Sequence, residues 1–248
     1  MKNILADAQS PALLEFAQKR VLLAFDFDGT LAPIVRDPES AVMRARTAKL
    51  LAEVARRYPC VVISGRSRTD VMAKVAAIPL RAVVGNHGME PSPSLRAWRR
   101  QTATWSAQLA AALPPIPGLV IENKGVSLAI HYRKARARAT VRRLVLAVVA
   151  ALRGIRMVEG KMVVNVLPAG APDKGTALIT LRKRLRCSSA IYIGDDDNDE
   201  DVFALARQER LLGIRVGRSR RSQAAYFVPS QTDIDRLLVK LVEARKAS

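Results

Sequence analysis

The sequence predicts an α/β protein in which a parallel-sheet core is interrupted by a smaller inserted α/β block. Three observations carry this. Short apolar runs alternate with helical patterns in the first third of the chain and again after residue 168, as in βαβ units with right-handed crossovers. Between them the pattern changes to long helices and hairpins. At 248 residues with 49% apolar content, the chain can bury a sizeable core in one large or two smaller domains.

The elements follow in order. Val21–Phe27 is a continuous apolar run and reads as a buried strand. Ala45–Tyr58 carries Leu50, Leu51, Val54 and Ala55 at helical spacing. Cys60–Ser64 is a second buried strand, Arg68–Ala76 a helix, and Arg81–Gly85 a third strand that stops at Asn86-His87-Gly88. Pro91 and Pro93 then open a loop, and Trp98–Leu113 is an amphipathic helix closed by Pro114-Pro115. Gly118–Arg133 holds two extended pieces around Asn123-Lys124-Gly125, Arg136–Leu152 is a helix, and Met157–Leu167 is a hairpin turning at Glu159-Gly160. The alternation resumes with a helix at Gly175–Leu185, a strand at Ser189–Ile193 and a helix at Asp199–Arg207. Strands at Leu212–Val216 and Ala225–Val228 and a helix at Ile234–Arg245 finish the chain. The expected domains are a core of residues 1–88 and 168–248 and an inserted unit of residues 89–167.

Composition excludes several classes. No run approaches the ~18 apolar residues of a membrane span, and the first residues lack a signal-peptide core. Cys60 and Cys187 are far apart and show no zinc or disulfide spacing, so a reducing cytoplasm is expected. The formal net charge of +19 permits nucleic-acid binding, lipid attraction or steering of an anionic substrate. Aromatic content of 4% argues against a stacking platform for single strands, and no nucleic-acid partner is expected. Solvated arginine-rich helix faces account for most of the excess. Nothing in the sequence signals an oligomeric state.

Four segments carry chemistry. In Asp26-Phe-Asp28-Gly-Thr, carboxylates two residues apart on a strand point to one side, at the strand end where open α/β sheets bind ligands. They can hold a hard cation and divide nucleophile and acid/base roles, although a strand followed by an Asx-Gly turn has the same pattern. Ser64-Gly65 offers a hydroxyl and backbone N–H groups to phosphoryl oxygens. Lys174 stands at a helix start, where its charge opposes the dipole; it is either an exposed lysine or a fixed ammonium for an anion. Six of the seven residues from Asp195 to Asp201 are acidic in an otherwise basic chain. The first turn of a helix explains Asp199, Glu200 and Asp201, whereas a Mg²⁺ ligand better explains Asp195. His87 and His131 do not form a recognisable metal site and read as core or turn histidines.

In this order the four segments resemble the haloacid dehalogenase superfamily of phosphatases, which has a Rossmann-like parallel-sheet core with an inserted α/β cap. That resemblance implies Asp26 as a nucleophile forming an aspartyl-phosphate and Asp28 as the acid/base. It implies Ser64, Gly65 and Lys174 as phosphate holders, and Mg²⁺ held by Asp26, the Asp28 backbone carbonyl and Asp195. Asp196 and Asp199 are expected to support the site from behind. Further motifs resemble the trehalose-6-phosphate phosphatase family: Ser64-Gly65-Arg66, Asn86-His87-Gly88, Glu122-Asn123-Lys124-Gly-Val-Ser127, His131-Tyr132-Arg133, Gly160-Lys161 and Asp173-Lys174-Gly175. This second resemblance implies a small-molecule sugar phosphate as substrate, contacted by Arg66, Glu122, Lys124, Arg133, Lys161 and Asn165. Two positions depart from the family: Asn165, where glutamate is usual, and Leu167, where a basic residue is usual. Asn165 keeps hydrogen-bonding capacity without the charge that strengthens it. The expected activity is release of inorganic phosphate from trehalose 6-phosphate; the alternatives are another sugar phosphate or an inactive basic binding protein. With no glycosyltransferase segment ahead of the core, a stand-alone phosphatase is expected.

Overall fold

The computed structural model describes residues 1–35 and 37–246. In chain order its main elements are β1 (Lys2–Asn3), α1 (Ser10–Ala17), β2 (Val21–Phe25), α2 (Ala45–Arg57), β3 (Cys60–Ile63), α3 (Arg68–Lys74) and β4 (Ala82–Val84). Then come α4 (Leu95–Ala112), β5 (Val120–Asn123), β6 (Leu128–His131), α5 (Arg138–Ala150), β7 (Ile155–Gly160) and β8 (Val163–Pro168). The chain closes with α6 (Lys174–Arg184), β9 (Ser189–Gly194), α7 (Glu200–Phe203), β10 (Leu211–Val216), β11 (Tyr226–Val228) and α8 (Ile234–Lys246). Two compact units result: Met1–Gly88 with Asp173–Ser248, and Met89–Pro172. The second junction lies at 172–173 rather than 167–168, because β8 runs on to Pro168 and Ala171 packs with Met89 and Leu167.

In the first unit, a seven-stranded sheet runs in the order β1-β11-β10-β9-β2-β3-β4, parallel throughout. Central β2 is buried along its whole length, and its alternate residues feed two layers. Val21, Leu23 and Phe25 join Leu51 and Val54 of α2 and Leu237, Leu238 and Leu241 of α8. Leu22 and Ala24 join Leu178 and Leu181 of α6 and Val202 and Phe203 of α7. β2 pairs with β9 on one side and β3 on the other, so its carboxyl end lies where the strand order reverses. Ligands bind there in open α/β sheets.

The second unit is a four-stranded antiparallel sheet, β5-β6-β8-β7. Leu128, Ile130, Val164 and Val166 form its apolar face, against Trp105 and Leu109 of α4 and Val141, Val145 and Val149 of α5. Trp105 Nε1 donates to the Arg153 carbonyl at 3.2 Å, which satisfies the indole where the helix crosses the sheet.

Three local expectations change. The Met157–Leu167 hairpin does not turn at Glu159-Gly160, because Gly160 pairs with Val163 and the turn falls on Lys161-Met162, with Met162 at φ 64°. The helix expected over Asp199–Arg207 is broken into 3-10 turns around the short α7. Its start is reshaped by a reciprocal cap between Asp196 and Asp199. Finally, β1 and α1 occupy an N-terminal stretch that had shown no clear element, docked through Ile4, Leu5, Leu13 and Ala17 into the core. No helix among the described residues is long and apolar enough to cross a membrane.

Candidate functional site

β2 ends at Phe25, and the next backbone N–H, that of Asp26, donates to the Ile193 carbonyl of β9 at 2.8 Å. This bond holds Asp26 beside the end of β9, where Gly194 leads into Asp195. Gly29 turns the chain back at φ 78°, and its N–H donates to Ala32 O at 2.7 Å. A Cβ at Gly29 would overlap the Asp195 carboxylate, so only glycine lets the two segments close together.

At the centre stands Lys174, buried, with 1% of its side chain exposed. Its Nζ donates to Asp26 Oδ1 at 2.8 Å and to Asp199 Oδ1 at 2.7 Å. Asp173 caps the N-terminus of α6 by accepting from Thr176 N at 2.7 Å, which fixes where Lys174 starts. Tyr192 in β9 donates its hydroxyl to the same Asp199 oxygen at 2.7 Å. Asp196 N donates to the other Asp199 oxygen at 2.9 Å. Burial alone would discharge Lys174, but Asp199 and Asp26 outweigh it and raise its pKa, so it stays an ammonium. Burial pushes Asp26 well above the usual carboxylate range. Lys174 opposes that shift, while the charges of Asp199 and Asp195 reinforce it. Tyr192 is also pushed up, by burial and then by Asp199, and remains a proton donor.

One carboxylate oxygen from each of Asp26, Asp195 and Asp199 lies within 4.8 Å of the others, all on buried residues. Lys174 bonds two of these three carboxylates. An all-oxygen donor set is the kind that a hard divalent cation prefers. The residues therefore fit such an ion, with Mg²⁺ among those of suitable chemistry.

Asp28 goes elsewhere. Both of its oxygens accept from Arg66, at 2.6 Å from Nε and 2.7 Å from Nη2. The remaining Arg66 nitrogen, Nη1, donates to Asp70 Oδ2 at 2.7 Å, and the guanidinium lies 5.7 Å from the Phe27 ring centre. Asp70 sits in the first turn of α3, whose N-cap is Ser67. The spacing rule had put Asp26 and Asp28 on one strand face. Because β2 stops at Phe25, the two side chains instead take separate partners. Ser64 is buried at the end of β3, and its Oγ accepts from Arg66 N at 3.2 Å.

The acidic run is resolved residue by residue. Asp195 joins the carboxylate cluster, and Asp196 caps the turn. Asp197 lies 3.6 Å from Arg215 Nη2. Glu200 accepts from Arg215 Nη1 at 3.0 Å and from Gln223 N at 2.8 Å. Asp199 is 0% exposed rather than a solvated helix-start acid, and one of its oxygens lies within 4.8 Å of those of Asp26 and Asp195. Tyr192, Asp70 and Arg215 were missed. A single arginine inside the buried strand Leu211–Val216 was a readable signal for Arg215. Tyr192 carried none, being indistinguishable from strand filling.

In the second unit, register puts Glu122, Ala129, Asn165 and Val158 in one row across the sheet, and Val120, His131, Val163 and Gly160 in another. Both rows face away from the apolar cluster beneath α4 and α5. Glu122 Oε2 lies 2.8 Å from His131 Nε2 and 3.9 Å from Lys124 Nζ. Arg133 Nη2 donates to the Lys161 carbonyl at 3.3 Å, which ties the end of β6 to the 161–162 turn. Asn165 is buried and donates Nδ2 to the Val158 carbonyl at 3.2 Å. Leu167 is buried with Met89, Val126 and Ala171.

Similarity to known proteins bears on the same segments. Residues 24–232 match the trehalose-phosphatase family. The chain is 30% identical over 250 residues to a probable trehalose-phosphate phosphatase of Oryza sativa subsp. japonica, covering 93% of this chain and 68% of that protein. It is 35% identical over 208 residues to a trehalose-phosphate phosphatase of Mycobacterium avium, covering 77% of this chain but 53% of that protein. The matched region thus spans between half and about two thirds of these relatives. Among solved structures, the C-terminal domain of a C. albicans trehalose-6-phosphate phosphatase aligns with a TM-score of 0.76 at 20% identity, covering 96% of this chain and 98% of that one. A Synechocystis sucrose-phosphatase aligns with a TM-score of 0.59 at 16% identity, covering 90% and 98%. At these identities the likeness concerns the fold alone. With the family match running from β2, just before Asp26, to residue 232, the chain belongs to the trehalose-phosphatase family and is a phosphatase.

Proposed function

We propose that this phosphatase releases inorganic phosphate from trehalose 6-phosphate by two displacements at Asp26, with Mg²⁺ held by Asp26 and Asp195 and flanked by Asp199. One observation carries the reading: a buried ammonium, Lys174, bridges Asp26 and Asp199, two residues from a carboxylate that is held separately by Arg66. In the first displacement an Asp26 oxygen attacks phosphorus, the bond to the sugar oxygen breaks, and Asp28, released from Arg66 and protonated, gives that oxygen its proton. In the second, Asp28 takes a proton from water, whose oxygen attacks phosphorus and frees Asp26 and phosphate. Ser64, Gly65 and Lys174 hold the transferring group's oxygens throughout. When bound, the divalent ion supplies positive charge that lets an anionic nucleophile meet a phosphate ester. The polar rows that carry Glu122, His131 and Asn165, with Lys124, Arg133 and Lys161 nearby, support a role in sugar recognition.

The test is phosphate release from trehalose 6-phosphate, glucose 6-phosphate and sucrose 6-phosphate, with Mg²⁺ and with chelator. Trehalose 6-phosphate should be hydrolysed fastest, the chelator should abolish turnover, and Asp26→Asn should be inactive. Full activity in Asp26→Asn would overturn the nucleophile assignment. A second reading, weaker discrimination among sugar phosphates, is favoured by one observation: the Asn165 amide is committed to a backbone carbonyl where the family usually carries a charged carboxylate. Asn165→Glu should then raise the preference for trehalose 6-phosphate over the other two. An unchanged ratio would remove this second reading.

A further inference from the structure

The catalytic reading leaves Asn86-His87-Gly88 unused, yet this turn touches both segments assigned to the phosphoryl group. Three consecutive residues have positive φ: Asn86 at 48°, His87 at 58° and Gly88 at 112°. Left-handed backbone is disfavoured for residues with a Cβ and persists where surroundings over-determine it, often at functional sites. The surroundings here are specific. Asn86 N donates to the Arg66 carbonyl at 2.6 Å, and His87 N donates to the Ser64 carbonyl at 2.9 Å. The His87 ring, 5% exposed, lies against Gly65, where an added Cβ would come within 2.7 Å of Cε1. On its other side the turn meets the start of α6. A Cβ at Gly88 would overlap the carbonyl of Asp173, the residue that caps the helix beginning with Lys174.

We propose that Asn86-His87-Gly88 is a positioning wedge that sets the spacing between the Ser64-Gly65 loop and the Lys174 helix start. It thereby fixes the two sides of the phosphoryl-binding site. The inference rests on the phosphatase reading of Ser64 and Lys174. Backbone bonds hold the loop from one side, the glycine contact holds the helix from the other, and the His87 ring fills the space beneath Gly65. His87 itself need not touch substrate; it acts through the loop.

A double-variant cycle tests this. Gly65→Ala drives a methyl into the His87 ring, and turnover should fall about 100-fold, the scale expected of an ~1 Å displacement. His87→Gly keeps a backbone that tolerates positive φ and removes the ring; turnover should fall about tenfold. Because methyl and ring compete for one space, the double variant should be at least tenfold faster than the product of the two losses predicts. Losses that simply multiply overturn the proposal. His87→Gly should also weaken inorganic phosphate as an inhibitor about tenfold. A merely destabilised protein would lose active molecules and keep that constant, so an unchanged constant overturns the proposal as well. If His87→Gly fails to fold, His87→Asn replaces it, since asparagine also accepts left-handed backbone. Failure of the underlying reading looks different: the unaltered protein with Mg²⁺ would release no phosphate from any sugar phosphate.

Discussion

Replacing Lys174 by methionine removes a buried ammonium that bridges two carboxylates of the cluster. The side chains of Lys174, Asp26 and Asp199 are 1%, 6% and 0% exposed. At 2.8 Å and an effective dielectric near 20, each lysine–carboxylate contact is worth about 6 kcal/mol before desolvation. Taking three ions out of water costs several kcal/mol apiece, so the intact triad adds little net stability. Breaking it is another matter, because two buried carboxylates are left facing each other and Asp195. Such losses are about 3–5 kcal/mol, a large part of the ~5–15 kcal/mol that holds a domain folded. At about 2–4 °C per kcal/mol for a chain of this size, Tm should fall by roughly 6–20 °C. The assay is thermal unfolding followed by circular dichroism in chelator at neutral pH, with Lys161→Met as an exposed-lysine control. Saturating Mg²⁺ should restore part of the loss by supplying positive charge to the cluster. A Tm within about 3 °C of the unaltered protein in chelator, a loss of about 1 kcal/mol, would refute the reasoning.

Three further outcomes are expected. Burial, opposed by Lys174 but reinforced by Asp199 and Asp195, raises the folded-state pKa of Asp26 well above the ordinary carboxylate range, so the folded protein binds an extra proton between the unfolded and the raised value. Stability therefore falls as pH rises through the folded pKa. In chelator, Asp26→Asn should be the more stable protein at neutral pH, and its advantage should shrink as pH falls; a constant difference in urea titrations would contradict this. Met162 holds φ 64° in the two-residue turn between β7 and β8, so Met162→Gly should stabilise the second unit by about 0.5–1 kcal/mol, the left-handed cost less the glycine entropy; a lower urea midpoint would show that the turn is not strained. If the +19 charge steers the phosphate ester, kcat/KM should fall as salt rises from about 50 to 500 mM while kcat holds. A flat kcat/KM would assign the charge to solvated surface alone.

The sheet was legible because central parallel strands are buried on both faces and read as unbroken apolar runs. Val21–Phe25, Cys60–Ile63 and Ser189–Gly194 all lie within a residue or two of their expected spans. The positions of Asp26 and Asp195 were legible because each follows such a run. The limits were set by side chains whose partners come from distant segments. Asp199 looks like any acid at a helix start, yet Lys174, 25 residues earlier, and Tyr192 in β9 draw it inward. The same inward pull, through the Asp196–Asp199 cap, broke the helix that periodicity had drawn from Asp199 to Arg207. Gly160 attracted the turn assignment because glycine usually supplies positive φ, whereas here Met162 carries it. Strand geometry put Asp26 and Asp28 on one side, but β2 ends at Phe25, before either residue.

The distribution of charge follows from the site's own chemistry. A cluster of Asp26, Asp195 and Asp199 repels an anionic substrate, and Lys174 cancels one charge of three. Asp28, Asp196, Asp197 and Glu200 would add to the repulsion, but Arg66 neutralises the first, and Arg215 binds the last two directly. Each arginine therefore orients an acid and removes it from the local field. The three buried carboxylates keep an all-oxygen donor set of the kind that suits a hard cation. The rest of the chain is basic, and the inserted unit most of all, with thirteen lysines and arginines against three acids over residues 89–172. An anion approaching this protein thus meets attraction at long range. It meets repulsion only within the last few ångströms, where a divalent ion and Lys174 can reverse it. Under the proposed reading, cation occupancy, rather than net charge, controls whether a phosphate ester can enter.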